Sequence, residues 1–231
     1  MGEARRSFWR GARDMLPLLA AGVSFGFVAG AAIANAGLGL GESMGMSVGT
    51  YGASAQLAAT LLWQAAAPLV VTTVTALVIN SRFFVYSASF APHLDSEPPL
   101  TRLLAAYLMR DGAYALAMTN AAEDIRIVPY YLGAASLDWL VWIVATAVGT
   151  LVGGLVPASW SLDFVVPLVF IALLANAVRG RIDAEVALTA ALASAVLVPR
   201  LPFQLGIVAS IAVGMAWGVA RERFRPRGAT A

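Results

Sequence analysis

The sequence predicts an all-α, polytopic membrane protein with about eight transmembrane helices. Three observations predict it. First, 60% of the 231 residues are hydrophobic and 12% are charged, whereas a soluble domain is nearer a quarter charged; the mean hydropathy is +0.78. A chain of this kind cannot hide its apolar surface in its own core. Second, apolar runs of membrane-spanning length recur along the chain, separated by Gly- and Pro-rich turns. Third, the arginines are distributed unevenly between alternate loops. At roughly 20 residues per span plus short loops, the length fits one transmembrane domain over residues 1–231, without room for a separate soluble module.

The spans follow from hydropathy and punctuation. The first covers about 16–35 and ends in the turn "AGLGLGE"; the second covers about 43–63. After Pro68 the third runs over about 68–91, long for one crossing, and closes on the polar loop "PHLDSEPP". The fourth covers about 101–120. "AEDIRIVPYY" reads as a loop whose tyrosine pair suits an interface belt. The fifth covers about 137–156, the sixth about 164–178 with Asp163 as its N-terminal cap. The seventh, about 184–198, is short enough to be tilted or re-entrant; after "PRLP" the eighth covers about 203–220.

With the N-terminus inside, eleven arginines fall on the inner side and two on the outer, while Arg82 and Arg110 lie within spans. That bias predicts both termini in the cytoplasm. Small residues recur every four positions at Gly22, Gly26 and Gly30, at Gly45 and Gly49, at Gly149 and Gly153, and at Gly214 and Gly218. Lipid gives no hydrophobic gain for helix association, so such faces let backbones approach closely. Packing within the chain is the expected use, with an oligomer or partner face the other. "ALVINSR" at 76–82 echoes "ALLANAVR" at 172–179, so a 4+4 or nested internal repeat is one reading of the architecture.

The composition also excludes chemistry. There is no cysteine and one histidine, His93, which removes disulfides, thiolate sites and an imidazole metal cluster. All basic residues are arginine, so no lysine is available as base or Schiff-base former. No phosphate-binding loop or metal-ligand spacing is present. No enzyme activity, cofactor or metal is expected, and arginines spread between loops, despite a pI of 9.3, do not make a nucleic-acid surface.

Charged residues inside spans carry the functional signal. Arg82 lies ten residues before Pro92, and Asp111 ten residues after Thr101. At 1.5 Å per residue each is about 15 Å from the outer surface, near the middle of a core about 30 Å thick. Antiparallel neighbours would pair them. Arg110, about 100° round the helix from Asp111, then leaves two guanidinium groups against one carboxylate. The surplus charge suits an anionic group such as a substrate carboxylate, and Asp111 suits charge balance or proton coupling. Asn80, Tyr86, Ser54 and Gln56 are the polar neighbours placed to bind substrate. The site is expected between the second, third, fourth and sixth spans. The bland alternatives are a snorkelling arginine, a structural ion pair and ordinary interhelical hydrogen bonds.

The strings "GASAQLA" at 52–58, "NSRFFVYSASFAPHL" at 80–94 and "LDFVVPLVF" at 162–170 resemble the AzlC family of branched-chain amino acid permeases over nearly the whole chain. The resemblance implies a multi-pass protein of the bacterial inner membrane that exports branched-chain or related amino acids, with a small four-span AzlD-like subunit as partner. The chain departs from the family where Thr-Asp-Glu is usual in the fourth span: it has "RDG" at 110–112, and Phe83 stands where a histidine is frequent. These changes make the polar centre more positive than is usual in the family, so the expected substrate is a small amino acid or a related organic anion. A non-transporting subunit, or a channel-like pore acting only with a small partner, is the alternative function.

Overall fold

The computed structural model describes residues 2–121, 125–153, 180–201 and 205–223, with isolated positions 155, 171, 174 and 178. Among these residues there is no strand. Helix α1 (Glu3–Met15) passes through a 3-10 turn (Leu16–Leu18) into α2 (Leu19–Asn35), so that 33 residues, Glu3–Asn35, run as one rod. There follow α3 (Leu40–Thr50), α4 (Ala53–Gln64), α5 (Leu69–Asn80), α6 (Arg82–Phe90), α7 (Pro99–Tyr107), α8 (Asp111–Thr119), α9 (Ile127–Gly153), α10 (Arg181–Leu197) and α11 (Leu205–Arg223). Among the described residues two stretches are long and apolar enough to cross a membrane unaided, Glu3–Asn35 and Ile127–Gly153. The bent pair Leu69–Asn80 and Arg82–Leu94, at 41° to each other, makes a third where it counts as one span.

Several predicted spans are corrected. The second is two helices, broken at Tyr51 and Gly52; the third bends at Ser81; the fourth breaks at residues 108–110. Hydropathy averages over a window, so the apolar residues flanking each break outweigh the few polar ones that stand at it. The fifth helix starts at Ile127, ten residues before the expected position. Its first turns take in the supposed interface pair: Tyr130 and Tyr131 are fully buried, and Tyr131 donates to the Ala105 carbonyl at 2.9 Å. The sixth span, its cap Asp163 and most of the second half of the internal echo lie outside the described residues.

Helix α9 is the axis of the molecule, with α1, α2, α3, α7 and α8 packed on it. Small residues make this possible. A Cβ at Gly30 would run into the Thr146 carbonyl, and one at Gly149 into the Phe27 carbonyl, so α2 and α9 touch backbone to backbone. Ser43 and Thr150 hydroxyls bridge α3 to α9 at 2.6 Å. Alanines 105, 113, 117, 134 and 135, all fully buried, seat α7 and α8 against the same helix. Outward the surface is apolar, with Leu69, Val70, Leu77, Phe84 and Val85 projecting from α5 and α6, as a lipid-facing wall requires. Helices α10 and α11 form an antiparallel pair, closed by a bidentate Arg221–Glu185 contact at 2.6 and 2.8 Å. Gly45 and Gly49 behave differently from the other small-residue pairs: a Cβ at either would meet nothing within 4 Å among the described residues. They line a second cavity of about 510 Å³.

Candidate functional site

The three helix breaks meet one another, and the contacts that join them are polar. At the first break Tyr51 ends α3 in the left-handed region at φ 34°, a conformation that costs a non-glycine residue of order 1–3 kcal/mol. Gly52 follows it, and a Cβ there would come 2.8 Å from Asn80 Oδ1, so a side chain at 52 would displace the Asn80 amide from its place. The carbonyls that the break leaves without helical partners are taken up by side chains. Asn80 Nδ2 donates to the Thr50 carbonyl at 2.9 Å. Tyr107 donates to the Val48 carbonyl at 3.0 Å, itself held by the Trp139 indole at 3.0 Å.

Arg82 opens α6 at the second break and Asp111 opens α8 at the third. Arg82 Nη2 lies 3.3 Å from Asp111 Oδ2, and the Tyr86 hydroxyl donates to Asp111 Oδ1 at 2.9 Å. Asp111 sits in the first turn of its helix, where the helix dipole favours a carboxylate. The side chains are half-exposed, 41% for Arg82 and 46% for Asp111, so this pair stands at the edge of open space.

Arg110, the extended residue before α8, turns the other way. Its Nη1 lies 3.3 Å from Asp138 Oδ2, with the side chains only 14% and 6% exposed. Its guanidinium stacks 5.0 Å from the Tyr51 ring centroid and 4.7 Å from that of Trp142, a cation held between two aromatic faces. Tyr51 also donates to Asp138 Oδ2 at 3.5 Å. Arg110 Nη1 has no aligned hydrogen-bond acceptor, so its contact with Asp138 is ionic and a donor is left unspent.

Arg82, Arg110, Asp111, Asp138 and Ser54 line one cavity of about 520 Å³, together with the first turns of α4 and α8 at Ala53 and Gly112. Of the residues singled out in the sequence, Arg82, Arg110, Asp111 and Ser54 therefore share a space. Tyr86 holds Asp111. Asn80 caps α3 and lines the second cavity instead. Gln56 is fully buried, with Nε2 donating to Ser47 Oγ at 2.9 Å, and does not line the charged cavity.

The expected surplus of positive charge is corrected. Asp138 neutralises Arg110, and the two pairs sum to zero. Sequence reasoning missed Asp138 because it placed the start of the fifth span at residue 137, at the membrane edge. The signal was available: Asp138 is the single charged residue in the 27 residues of α9, and a lone carboxylate in an apolar helix is a functional candidate. Tyr51 and Trp142, the aromatic walls of Arg110, were missed as well.

Interrupted helices whose ends converge on a charged cavity, inside a body with an apolar exterior, define a polytopic membrane protein with an interior polar site. The chain belongs to the AzlC family: the family described as AzlC protein matches residues 17–156, a span that holds the four charged residues described in the cavity. That family is associated with branched-chain amino acid transport. The resembling string at 162–170 lies beyond the match. No curated protein and no solved structure matches the chain.

Proposed function

We propose that the protein is a secondary transporter that carries branched-chain or related small amino acids out of the cytoplasm across the bacterial inner membrane, coupled to an ion or proton gradient. One observation carries this reading: the pairs Arg82–Asp111 and Arg110–Asp138 meet at three interlocked helix breaks around a single cavity. A purely structural ion pair needs neither interrupted helices nor open space, and a cavity of about 520 Å³ falls in the usual range for small-molecule sites, about 300–1,000 Å³.

In this reading the substrate carboxylate is received by Arg82 and by the unspent donor of Arg110, since guanidinium groups suit a bidentate carboxylate contact. The first turns of α4 and α8 border the same space and offer it their positive helix ends. Asp111 balances Arg82 in the empty site and exchanges the coupling proton. Ser54 lies beside the ligand, Tyr86 sets the Asp111 carboxylate, and Asn80 and Gln56 hold the α3–α4 break in shape. The chain crosses the membrane about eight times with both termini cytoplasmic, and a small four-span AzlD-like subunit is its partner.

The test is flux in proteoliposomes. The purified chain, alone and with the small subunit, is assayed for counterflow of leucine, isoleucine and valine at several pH values. Counterflow by the chain alone supports the transporter reading. Counterflow only with the small subunit makes the protein an obligate component of a two-part transporter. No counterflow in either arm, from correctly assembled protein, overturns the proposal.

A further inference from the structure

The charge balance of the cavity says what kind of ligand it suits. Among the described residues that line it, Arg82 and Arg110 supply two positive charges, Asp111 and Asp138 two negative. A site with a spare guanidinium would select an anion. A neutral site gains nothing from a net charge on its ligand, and rewards a ligand that carries both signs at a spacing able to open an existing ion pair.

Asp138 offers the negative half of such a site. It is 4% exposed and forms part of the cavity wall. Its Oδ2 is occupied, by Arg110 at 3.3 Å and the Tyr51 hydroxyl at 3.5 Å. Among the described residues no hydrogen bond reaches its Oδ1. That oxygen lies 3.6 Å from where a Cβ of Gly22 would stand, and Gly22 lines the same cavity. The missing side chain at position 22 therefore leaves a slot beside a carboxylate oxygen that accepts no hydrogen bond from the described residues.

We propose that Asp138 is the ammonium-binding residue of the site, taking the amino group of a zwitterionic substrate on Oδ1 in the slot beside Gly22, while the substrate carboxylate takes the unspent donor of Arg110. The ligand inserts between the two partners of an existing ion pair and replaces each with its own opposite charge, so no buried charge is left uncompensated at any stage. This assignment rests on the transport reading above and adds to it the group that distinguishes an amino acid from a simple carboxylate.

A charge-assisted hydrogen bond from an ammonium group to a buried carboxylate corresponds to about a tenfold to hundredfold difference in affinity. In proteoliposomes of the wild-type protein, 4-methylpentanoate, which is leucine without its amino group, is expected to inhibit leucine counterflow about tenfold to a hundredfold more weakly than unlabelled leucine. In Asp138→Asn the ratio collapses towards one, because the amide cannot accept as a carboxylate does and Arg110 is left free for any carboxylate. Gly22→Val fills the slot while leaving the ion pair in place, and is expected to raise the leucine KM at least tenfold; it serves where Asp138→Asn does not assemble. Equal inhibition by leucine and 4-methylpentanoate in the wild type overturns the assignment, as does an unchanged ratio in Asp138→Asn or an unchanged KM in Gly22→Val. Each of these leaves leucine counterflow itself intact, and so leaves the transport reading standing. Failure of the wild type to move any amino acid removes both.

Discussion

The two ion pairs have the same separation and should differ sharply in what they contribute to stability. Both are 3.3 Å long. At that distance two unit charges attract by about 5 kcal/mol at an effective dielectric of about 20, and by about 1 kcal/mol in bulk water. Arg110–Asp138, with side chains 14% and 6% exposed, belongs near the first limit; Arg82–Asp111, at 41% and 46%, belongs nearer the second. Arg110→Ala leaves Asp138 buried without its cation, and breaking a buried pair in this way costs about 3–5 kcal/mol. It also removes the guanidinium from between Tyr51 and Trp142. Arg82→Ala is expected to cost no more than about 1 kcal/mol. The double variant Arg110→Met, Asp138→Leu removes both charges and should recover most of the lost stability, while flux stays absent. Equilibrium unfolding in mixed detergent micelles, followed by tryptophan fluorescence, reads all three. Equal losses for Arg110→Ala and Arg82→Ala, or no recovery in the double variant, would refute the reasoning that burial and not distance separates these pairs.

Other outcomes follow from the same geometry. Asp111→Asn keeps the Tyr86 contact but removes the ionisable group; it should still catalyse leucine exchange while losing accumulation driven by a pH gradient, and an unchanged pH dependence would remove Asp111 from the coupling step. Asn80→Ala strips the cap from the part-buried Thr50 carbonyl and is expected to lower stability by about 1 kcal/mol, the net worth of such a hydrogen bond; a neutral result means that water or another group satisfies that carbonyl. Gly149→Leu drives a side chain into the Phe27 backbone and should destabilise by at least about 1–3 kcal/mol. At Gly45 an added Cβ meets no described residue within 4 Å and borders a cavity, so Gly45→Leu should leave the unfolding midpoint of the isolated chain unchanged or slightly raised, given the better helix propensity of leucine. Matching losses at the two glycines would show that the Gly45 face of α3, and not only its Ser43 face, is packed in the isolated chain.

What the sequence revealed and what it hid divide along a physical line. Hydropathy reports how much of a segment avoids water, so the all-α membrane class was legible. The depth argument, which needs only a rise per residue and two aqueous ends, placed Arg82 and Asp111 at one level. Hydropathy does not report where a backbone stops being helical. The small residues of "GTYGASAQ" permit a bend, but where the break falls is set by tertiary partners: Asn80 and Tyr107 taking the Thr50 and Val48 carbonyls, and Tyr51 in a left-handed conformation under Arg110. Those partners lie 30 and 59 residues away, beyond any local window. The same blindness moved the start of α9 by ten residues and put Asp138 at the membrane edge. That error changed the arithmetic of the site from one surplus positive charge to none. A membrane interior tolerates a wrong boundary in the sequence reading of an apolar helix, because sliding it by a few residues changes little. It does not tolerate the loss of one carboxylate, because each buried charge must be matched by another, and the ligand a site selects depends on which charge remains to be matched. The charged residues of α8 and α9 therefore constrain the ligand more tightly than the many apolar residues that carry them.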